Sequence, residues 1–148
     1  MPSENRDTDA AETIDYKLDE QVGFILRRAT QRHLALFADA ISDLTPTQFA
    51  ALAKLYELDP VSQNELGRQT SMDAATIKGV IDRLRNRGYV TTEPDPKDLR
   101  RIIVSPTPEG ADIFNRCKEA AHRITEETLA PLNAREQALF LGLLKKLT

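Results

Sequence analysis

The apolar residues between positions 61 and 106 follow first a helical and then a strand-like pattern. In the predicted second helix, Ile77, Val80, Ile81 and Leu84 recur at the i, i+3, i+4, i+7 spacing of a helix with one buried face. Residues 89–92 and 102–104 are rich in the aromatic and β-branched side chains that favour strands. The turn formers Asp95-Pro96 and Asp98 lie between them. The pattern therefore predicts two short helices followed by a β-hairpin.

Local signals predict where these two helices begin and end. Ser62 and Glu65 form an S-x-x-E capping box, so the first helix should begin at Gln63. Asp73 is a cap for the second helix, and Gly88 is a residue that ends it. A turn is expected near residues 70–72, where helix-weakening residues fall. This order of elements is typical of a winged helix-turn-helix.

The exposed face of the second helix combines small and cationic residues, which suits an approach to a nucleic-acid groove. Small side chains permit close contact, a threonine can touch a thymine methyl, and Lys or Arg can meet phosphates and guanine edges. With Gln63 on the preceding helix, the predicted contacts are Ala74, Ala75, Thr76, Lys78, Gly79 and Arg83. Taken alone, such a face is more commonly a solvated surface.

The hairpin strengthens the nucleic-acid interpretation because its tip is charged. Lys97, Arg100 and Arg101 lie at or near the tip, and a narrow minor groove attracts an inserted arginine. The alternative is an ordinary hairpin with an Asp95–Arg100 or an Asp98–Arg101 ion pair. Both interpretations can hold together, since an acidic residue can steady an arginine that reaches DNA.

The chain resembles the MarR family of bacterial transcription regulators. The resemblance is carried by the run DAATIKGVIDRLRNRGYV at 73–90, the segment DPKDLR at 95–100 and TPEG at 107–110, and it extends over roughly residues 18–147. It implies a homodimeric regulator, most often a repressor, that binds double-stranded DNA and responds to a small aromatic acid. The stretch at 26–37 is also similar to repressors of nicotinate breakdown, whose effector is a hydroxylated nicotinate.

Helices are also predicted on both sides of this module. The first should run from about Asp19 to Ala40, and a second should begin at Pro46 behind the cap Thr45. After the hairpin, Thr107 and Pro108 open a helix to about residue 129, and a last helix follows Asn133. The expected fold class is mainly α with a small β-hairpin wing, a winged helix-turn-helix plus a helical dimerisation region.

The flanking helices carry more apolar surface than one small winged domain can cover. Because burying apolar surface is favourable, pairing with a second copy is the natural outcome. We therefore predict dimerisation helices at 18–44 and 108–148, the winged helix-turn-helix at 45–107, and an acidic flexible tail at 1–17. A two-fold dimer places two reading helices about one DNA turn, roughly 34 Å, apart and selects a pseudo-palindromic site.

Charge is distributed unevenly along the chain. The net charge is −3, but residues 61–104 hold eight Lys/Arg against six Asp/Glu, and residues 1–20 hold two against seven. A local basic face, rather than the overall charge, is what phosphate contact requires. The acidic excess of the first twenty residues is therefore compatible with DNA binding elsewhere.

Several other classes of protein are disfavoured by composition. No apolar run is long enough for a membrane span, no secretory leader is evident, and a single cysteine fits a reducing cytoplasm. Two histidines and one cysteine make a poor zinc site, and no phosphate loop or nucleophile elbow is present. We expect a cytoplasmic protein that is not an enzyme and needs no cofactor or metal.

The effector site is the least determined part of the sequence. His33 lies on the apolar stripe of the first helix, where it is either a packed core histidine or a polar group in a ligand cleft. Arg28 or Arg32 could hold an effector carboxylate, and Phe49 is a further candidate, although it also suits the core. Two alternatives to an effector-responsive repressor stay open: a redox regulator using Cys117, and a winged helix used for protein contacts.

Overall fold

Residues 14–148 are described by a computed structural model, and the acidic segment at 1–13 lies outside the described residues. A 3-10 turn at Leu18–Glu20 precedes the first helix. The elements are then α1 (Val22–Ala40), α2 (Pro46–Leu58), β1 (Val61–Ser62), α3 (Gln63–Gln69), α4 (Ala74–Asn86), β2 (Val90–Asp95), β3 (Asp98–Pro106), α5 (Pro108–Leu129) and α6 (Ala134–Lys145). The mainly α architecture with a small β-hairpin wing is confirmed.

Side-chain caps set the starts of α2, α3, α4, α5 and α6, as predicted, whereas α1 begins without one. Thr45 and Gln48 form a complete capping box at α2, in which each side chain bonds the backbone of the other. The box at α3 is only half formed. Ser62 accepts from the Glu65 backbone N–H at 3.2 Å, but the Glu65 carboxylate instead binds Arg68 one turn further along. Formation of the full box was therefore a wrong prediction, although the helix begins where expected.

The sheet has three antiparallel strands in the order β1-β3-β2. Its hairpin is longer than predicted, because pairing extends beyond the predicted strand segments to residues such as Glu93, which pairs with Ile103, and Ser105, which pairs with Thr91. The two-residue strand β1, which aligns Val61 with Val104, was not predicted. Such a short segment has no periodicity of its own and becomes a strand only by pairing.

The core joins the helix-turn-helix to α2, the sheet and α5. The largest fully buried side chains are Leu52, Leu55, Leu66, Ile77, Ile81, Leu84, Ile113, Val90 and Val104. The predicted apolar stripe of α4 is thus its buried face, and the opposite face of that helix is left to solvent. Only the end of α1, at Phe37, is buried in this core.

Helices α1 and α6 keep large apolar side chains exposed within one chain. Val22 is 65% exposed on α1, and Leu139 is 60% exposed on α6. Helix α6 has no fully buried residue at all. These two helices therefore present the excess apolar surface that the sequence predicted. Within residues 14–148, no helix combines the length and apolarity needed to cross a bilayer.

Candidate nucleic-acid interface and neighbouring cavity

Close packing holds α3 and α4 together as a helix-turn-helix. A side chain added at Gly67 would place its Cβ only 3.0 Å from Ile77 Cγ2, so glycine permits this approach. The turn between the helices passes through Ser71, whose φ is 56°. Asp73 then caps α4 by accepting from the Thr76 N–H at 2.7 Å. This hydrogen bond lowers the pKa of Asp73, because it stabilises the charged carboxylate.

The predicted contact residues of α4 lie on its outer face. Ala74, Ala75, Thr76, Lys78 and Arg83 are exposed, and Gly79 is half-buried among them. The Asp82 carboxylate pairs with two cations of the same helix, Lys78 at 2.8 Å and Arg85 at 3.2 Å. The hydrogen bond from Lys78 is the largest cause of the lowered pKa of Asp82. Arg83 makes no ion pair with any described residue, so its guanidinium is available to a ligand.

The charged pairs of the wing differ from those predicted. Arg100 pairs with Asp98 at 3.2 Å, and Arg101 lies 3.9 Å from Asp95, which reverses the predicted partners. The reason is local, because Asp98 also accepts from the backbone N–H of Arg100 at 3.1 Å. Arg100 therefore bonds within β3 and not across the turn, whereas Arg101 reaches across the turn to Asp95. Lys97 stands at the tip, where its backbone N–H bonds Asp95.

The structure brings the start of α3 and the wing together. A small cleft of about 50 Å³ separates them and is lined by Ser62, Gln63, Asn64, Arg100, Arg101 and Ile102. Gln63 thus shares one surface with the two wing arginines that the sequence selected. The predicted contacts thus lie at this cleft and on the outer face of α4, with Lys97 apart from both at the tip of the wing.

The end of α4 is fixed to α5. Gly88 adopts a left-handed φ of 78°, and the Tyr89 N–H reaches back to the Leu84 carbonyl at 2.9 Å, which is a Schellman motif. The Thr107 hydroxyl donates to the Gly88 carbonyl at 2.6 Å. Gly110 packs so tightly that an added Cβ would lie 2.1 Å from the Tyr89 carbonyl oxygen. The orientation of α4 therefore depends on the first turn of α5.

A cavity of about 480 Å³ lies between α1, the start of α2 and α5. It is lined by His33, Phe37, Pro46, Phe49, Phe114, Lys118, Ala121, His122, Ile124 and Thr125. The Phe49 and Phe114 rings are stacked, with centroids 5.5 Å apart. Lys118 and His122 are exposed. The cavity therefore combines aromatic faces with a cationic side chain, an arrangement that suits a planar anion.

The candidate effector residues divide into two groups. His33 and Phe49 line the cavity, but Arg28 and Arg32 do not. The Arg32 guanidinium donates to the carbonyls of Thr128 and Glu127 at 2.7 and 2.8 Å, near the end of α5, where unpaired carbonyls attract a cation. Arg28 lies over the Phe24 ring, 5.9 Å from its centroid. The contact predicted between an effector carboxylate and Arg28 or Arg32 stays a prediction, and neither arginine lines this cavity.

Two polar side chains that line the cavity, Lys118 and His122, were missed by the sequence analysis. Lys118 and His122 follow Phe114 at four-residue intervals, so all three share one face of α5. That spacing was a usable signal. It could be interpreted only with the knowledge that this face of α5 meets α1 and α2.

The tautomer of His33 follows from its hydrogen bonds. Its Nδ1 lies 2.9 Å from the Thr128 hydroxyl, and that hydroxyl donates to the Ile124 carbonyl at 2.7 Å. A hydroxyl has one proton, so Nδ1 must be the donor in the first contact. In the neutral ring, Nε2 is therefore left as a hydrogen-bond acceptor.

Cys117 is buried on α5, with 6% of its surface exposed. Burial is the main cause of its raised pKa, and the nearby Asp43 raises that pKa further. Because a thiolate is the reactive form, this environment disfavours redox chemistry. Among residues 14–148, no group of three or more His, Cys, Asp or Glu side chains is arranged to hold a metal ion.

Comparison with known proteins gives consistent matches over most of the chain. The model of the MarR family matches residues 44–102. The HTH-type transcriptional repressor NicR of Pseudomonas putida is 42% identical over 134 residues, which are 89% of this chain and 85% of that protein.

Two solved structures share both fold and sequence with the chain. A probable transcriptional regulator from Pseudomonas aeruginosa has a TM-score of 0.87 at 51% identity, covering 89% of this chain and all of that one. BpsR of Bordetella bronchiseptica, whose DNA binding is regulated by 6-hydroxynicotinic acid, has a TM-score of 0.86 at 38% identity, covering 89% and 96%.

Proposed function

The chain belongs to the MarR family of transcription regulators, and we propose that it is a homodimeric repressor released from a pseudo-palindromic operator by a small aromatic acid. The observation that carries the DNA-binding part is the exposed face of α4. Its apolar side is buried in the core, and its outer side carries small residues beside Arg83, which forms no ion pair with residues 14–148. This arrangement suits a helix in the major groove, and the cationic wing suits the neighbouring backbone or minor groove.

Dimerisation is supported by the apolar surfaces of α1 and α6. Leu139 and Leu143 on α6 are 60% and 50% exposed, and Ile25 on α1 is 51% exposed. Exposed apolar side chains on two helices are typical of an interface. A two-fold dimer through these helices sets the separation of the two α4 helices, and hence the spacing of the half-sites.

The DNA-binding proposal is tested by the salt dependence of binding. We expect Arg83→Ala and Arg100→Ala each to weaken binding to an operator selected with the wild-type protein from a random duplex library. Each should also reduce the slope of log K against log salt by about one, because one phosphate contact is lost. Arg116→Ala is the matched control, since Arg116 is an exposed arginine on α5 outside both contact groups. Unchanged slopes for both variants would contradict the assigned contacts.

The effector proposal rests on the chemistry of the cavity and on the relatives. Lys118 can hold a carboxylate, the stacked phenylalanine rings can hold a planar ring, and His33 Nε2 can accept a hydrogen bond from a ring hydroxyl. NicR and BpsR each match 89% of this chain, and the DNA binding of BpsR is regulated by 6-hydroxynicotinic acid. We therefore propose a hydroxylated nicotinate or a related aromatic acid as the effector.

A thermal-shift series tests this assignment. We expect 6-hydroxynicotinate to raise the Tm of the wild-type protein and to release it from the selected operator, and nicotinate, which lacks the hydroxyl, to do so less. Lys118→Gln should raise the concentration of 6-hydroxynicotinate needed for both effects about tenfold or more, because the carboxylate loses its charged partner. Lys146→Gln, near the end of the chain, is the control. An equal response of both variants would exclude Lys118 as the carboxylate contact.

A further inference from the structure

Arg87, the C-cap residue of α4, connects this helix to the loop that joins α1 and α2. Its Nη1 donates to the carbonyl oxygen of Asp43, which lies 44 positions earlier in the chain. Its Nη2 donates to the Tyr89 hydroxyl at 3.2 Å. The guanidinium also lies over the Tyr89 ring, 4.8 Å from the centroid. One side chain thus contacts both the C-terminal end of α4, the candidate reading helix, and the loop between α1 and α2.

Both ends of this connection are held by hydrogen bonds or by burial of an adjacent residue. On the α4 side, the Gly88 and Tyr89 N–H groups bond back to the last turn of the helix, and Thr107 holds the Gly88 carbonyl. On the loop side, the Ile41 N–H bonds the last turn of α1. Leu44, next to Asp43, is only 3% exposed. A contact between two rigid segments transmits a change of angle, whereas a contact to a mobile loop would absorb it.

The loop that Arg87 contacts also adjoins the cavity. Phe37 on the last turn of α1 and Pro46 at the first position of α2 both line the cavity, and the loop spans the few residues between them. Because Arg87 contacts this loop, a shift of α1 relative to α2 would change the orientation of α4. The ion pairs of Asp82 with Lys78 and Arg85 stay within α4. Arg85 also donates to the Thr92 hydroxyl on β2 at 3.0 Å, which links α4 to the wing and not to the loop between α1 and α2.

We infer that Arg87 is a positioning residue that fixes the angle between α4 and α1, and so makes the dimer selective for one spacing of operator half-sites. This inference rests on the proposed function, because spacing matters only to a dimer on DNA. Arginine suits the role better than lysine, since its planar fork can hold a carbonyl and a hydroxyl at once while its face lies on an aromatic ring.

The competing explanation is that Arg87 touches a DNA phosphate. The two roles differ in what they change. A phosphate contact affects every duplex equally and contributes about one to the salt slope. A positioning contact leaves the slope unchanged but alters the relative affinity for operators of different spacing.

The experiment compares wild type, Arg87→Ala, Arg87→Lys and Tyr89→Phe on two duplexes. One is the operator selected with the wild-type protein, and the other carries one extra base pair at its centre, which rotates the half-sites by roughly a tenth of a turn. Arg116→Ala again controls for the lost charge. We expect Arg87→Ala to lower the preference for the selected spacing at least threefold with an unchanged salt slope. Arg87→Lys should restore part of that preference.

Hydrogen exchange tests the connection without DNA. The N–H groups of Ile41 and Thr45 on the loop side, and of Gly88 and Tyr89 on the α4 side, are all hydrogen-bonded and serve as reporters. We expect Arg87→Ala to accelerate exchange at both sides by about tenfold, and Arg116→Ala at neither. Tyr89→Phe, which removes only the hydroxyl, should give a smaller effect of the same kind and serves if Arg87→Ala does not fold.

The outcomes separate this inference from the proposed function. An unchanged spacing preference, or a salt slope lower by about one, would overturn the positioning role and leave the repressor proposal intact. Failure of the wild-type protein to select any duplex would refute the DNA-binding proposal and, with it, spacing selection. Exchange that accelerates on one side only would overturn the connection itself, whatever the DNA result.

Discussion

Gly110→Ala is the substitution for which the structure makes the sharpest stability prediction. The added Cβ would lie 2.1 Å from the Tyr89 carbonyl oxygen and 3.0 Å from its carbon, and backbone atoms cannot rotate away as a side-chain end could. The carbonyl must therefore move by about 1 Å to reach an ordinary contact distance. Such a shift breaks the bond from the Thr107 N–H, now 3.1 Å, and strains the one from the Thr107 hydroxyl to Gly88.

The net cost follows from opposing contributions. The broken hydrogen bond and the strained one together cost about 2 kcal/mol, and overpacking adds about 1–3 kcal/mol. The better helix propensity of alanine offsets about 1 kcal/mol. We therefore expect the free energy of unfolding to fall by about 2–4 kcal/mol, which corresponds to a decrease in Tm of roughly 4–16 °C for a chain of this size.

Thermal unfolding followed by circular dichroism is the assay, with all proteins at the same concentration because the Tm of a dimer depends on it. Gly142→Ala is the matched control. It lies within α6, and an added Cβ meets nothing within 4 Å in the chain, so alanine should stabilise by about 0.5–1 kcal/mol. A Tm for Gly110→Ala equal to or above that of the wild type would refute the reasoning from steric contact.

Three further substitutions test other parts of the structure. Gly79→Ala should raise the Tm by about 2–4 °C, since the added Cβ meets only the flexible end of Arg83 at 3.4 Å. The same substitution should weaken operator binding, because the methyl group keeps α4 further from the groove. Binding as tight as that of the wild type would contradict a close approach. Asp73→Asn keeps a capping side chain without a charge. Because the pKa of Asp73 is lowered in the folded state, its stabilising effect is present above the unfolded pKa and is lost as the pH falls through the folded pKa. The Tm of the Asn variant should therefore change less than that of the wild type between about pH 5 and pH 3. Parallel Tm curves for the two proteins would count against the cap. Cys117→Ala should leave DNA release by peroxide unchanged in a gel-shift assay, because burial raises the thiol pKa; a loss of peroxide response in this variant would restore the redox alternative.

The features that could be predicted from the sequence are those encoded within a few residues. Thr45 and Asp73 begin helices because their side chains bond N–H groups three residues ahead, and Gly88 ends α4 because it tolerates a left-handed φ. The apolar spacing that predicts the buried face of α4 can likewise be recognised from residues one helical turn apart. The fold of the DNA-facing module therefore followed from local patterns.

The features that could not be predicted depend on competition or on tertiary packing. Asp98 had two possible partners, and only its bond to the Arg100 backbone decides between them. Arg32 was expected at the effector, but the carbonyls at the end of α5 bind it first. Lys118 became a candidate only once α5 was known to face α2. Sequence spacing shows which residues share a face, but not what that face meets.

The carboxylate of Asp82 has a consequence for how such a regulator would search a genome. It lies on the outer face of α4 between Lys78 and Arg85, and it binds both. Any phosphate that approaches these cations must first displace an internal competitor, and random sequence offers no further contacts to compensate for that loss. The residence time on non-target DNA would therefore be short, and a larger fraction of the protein would be free to find the operator.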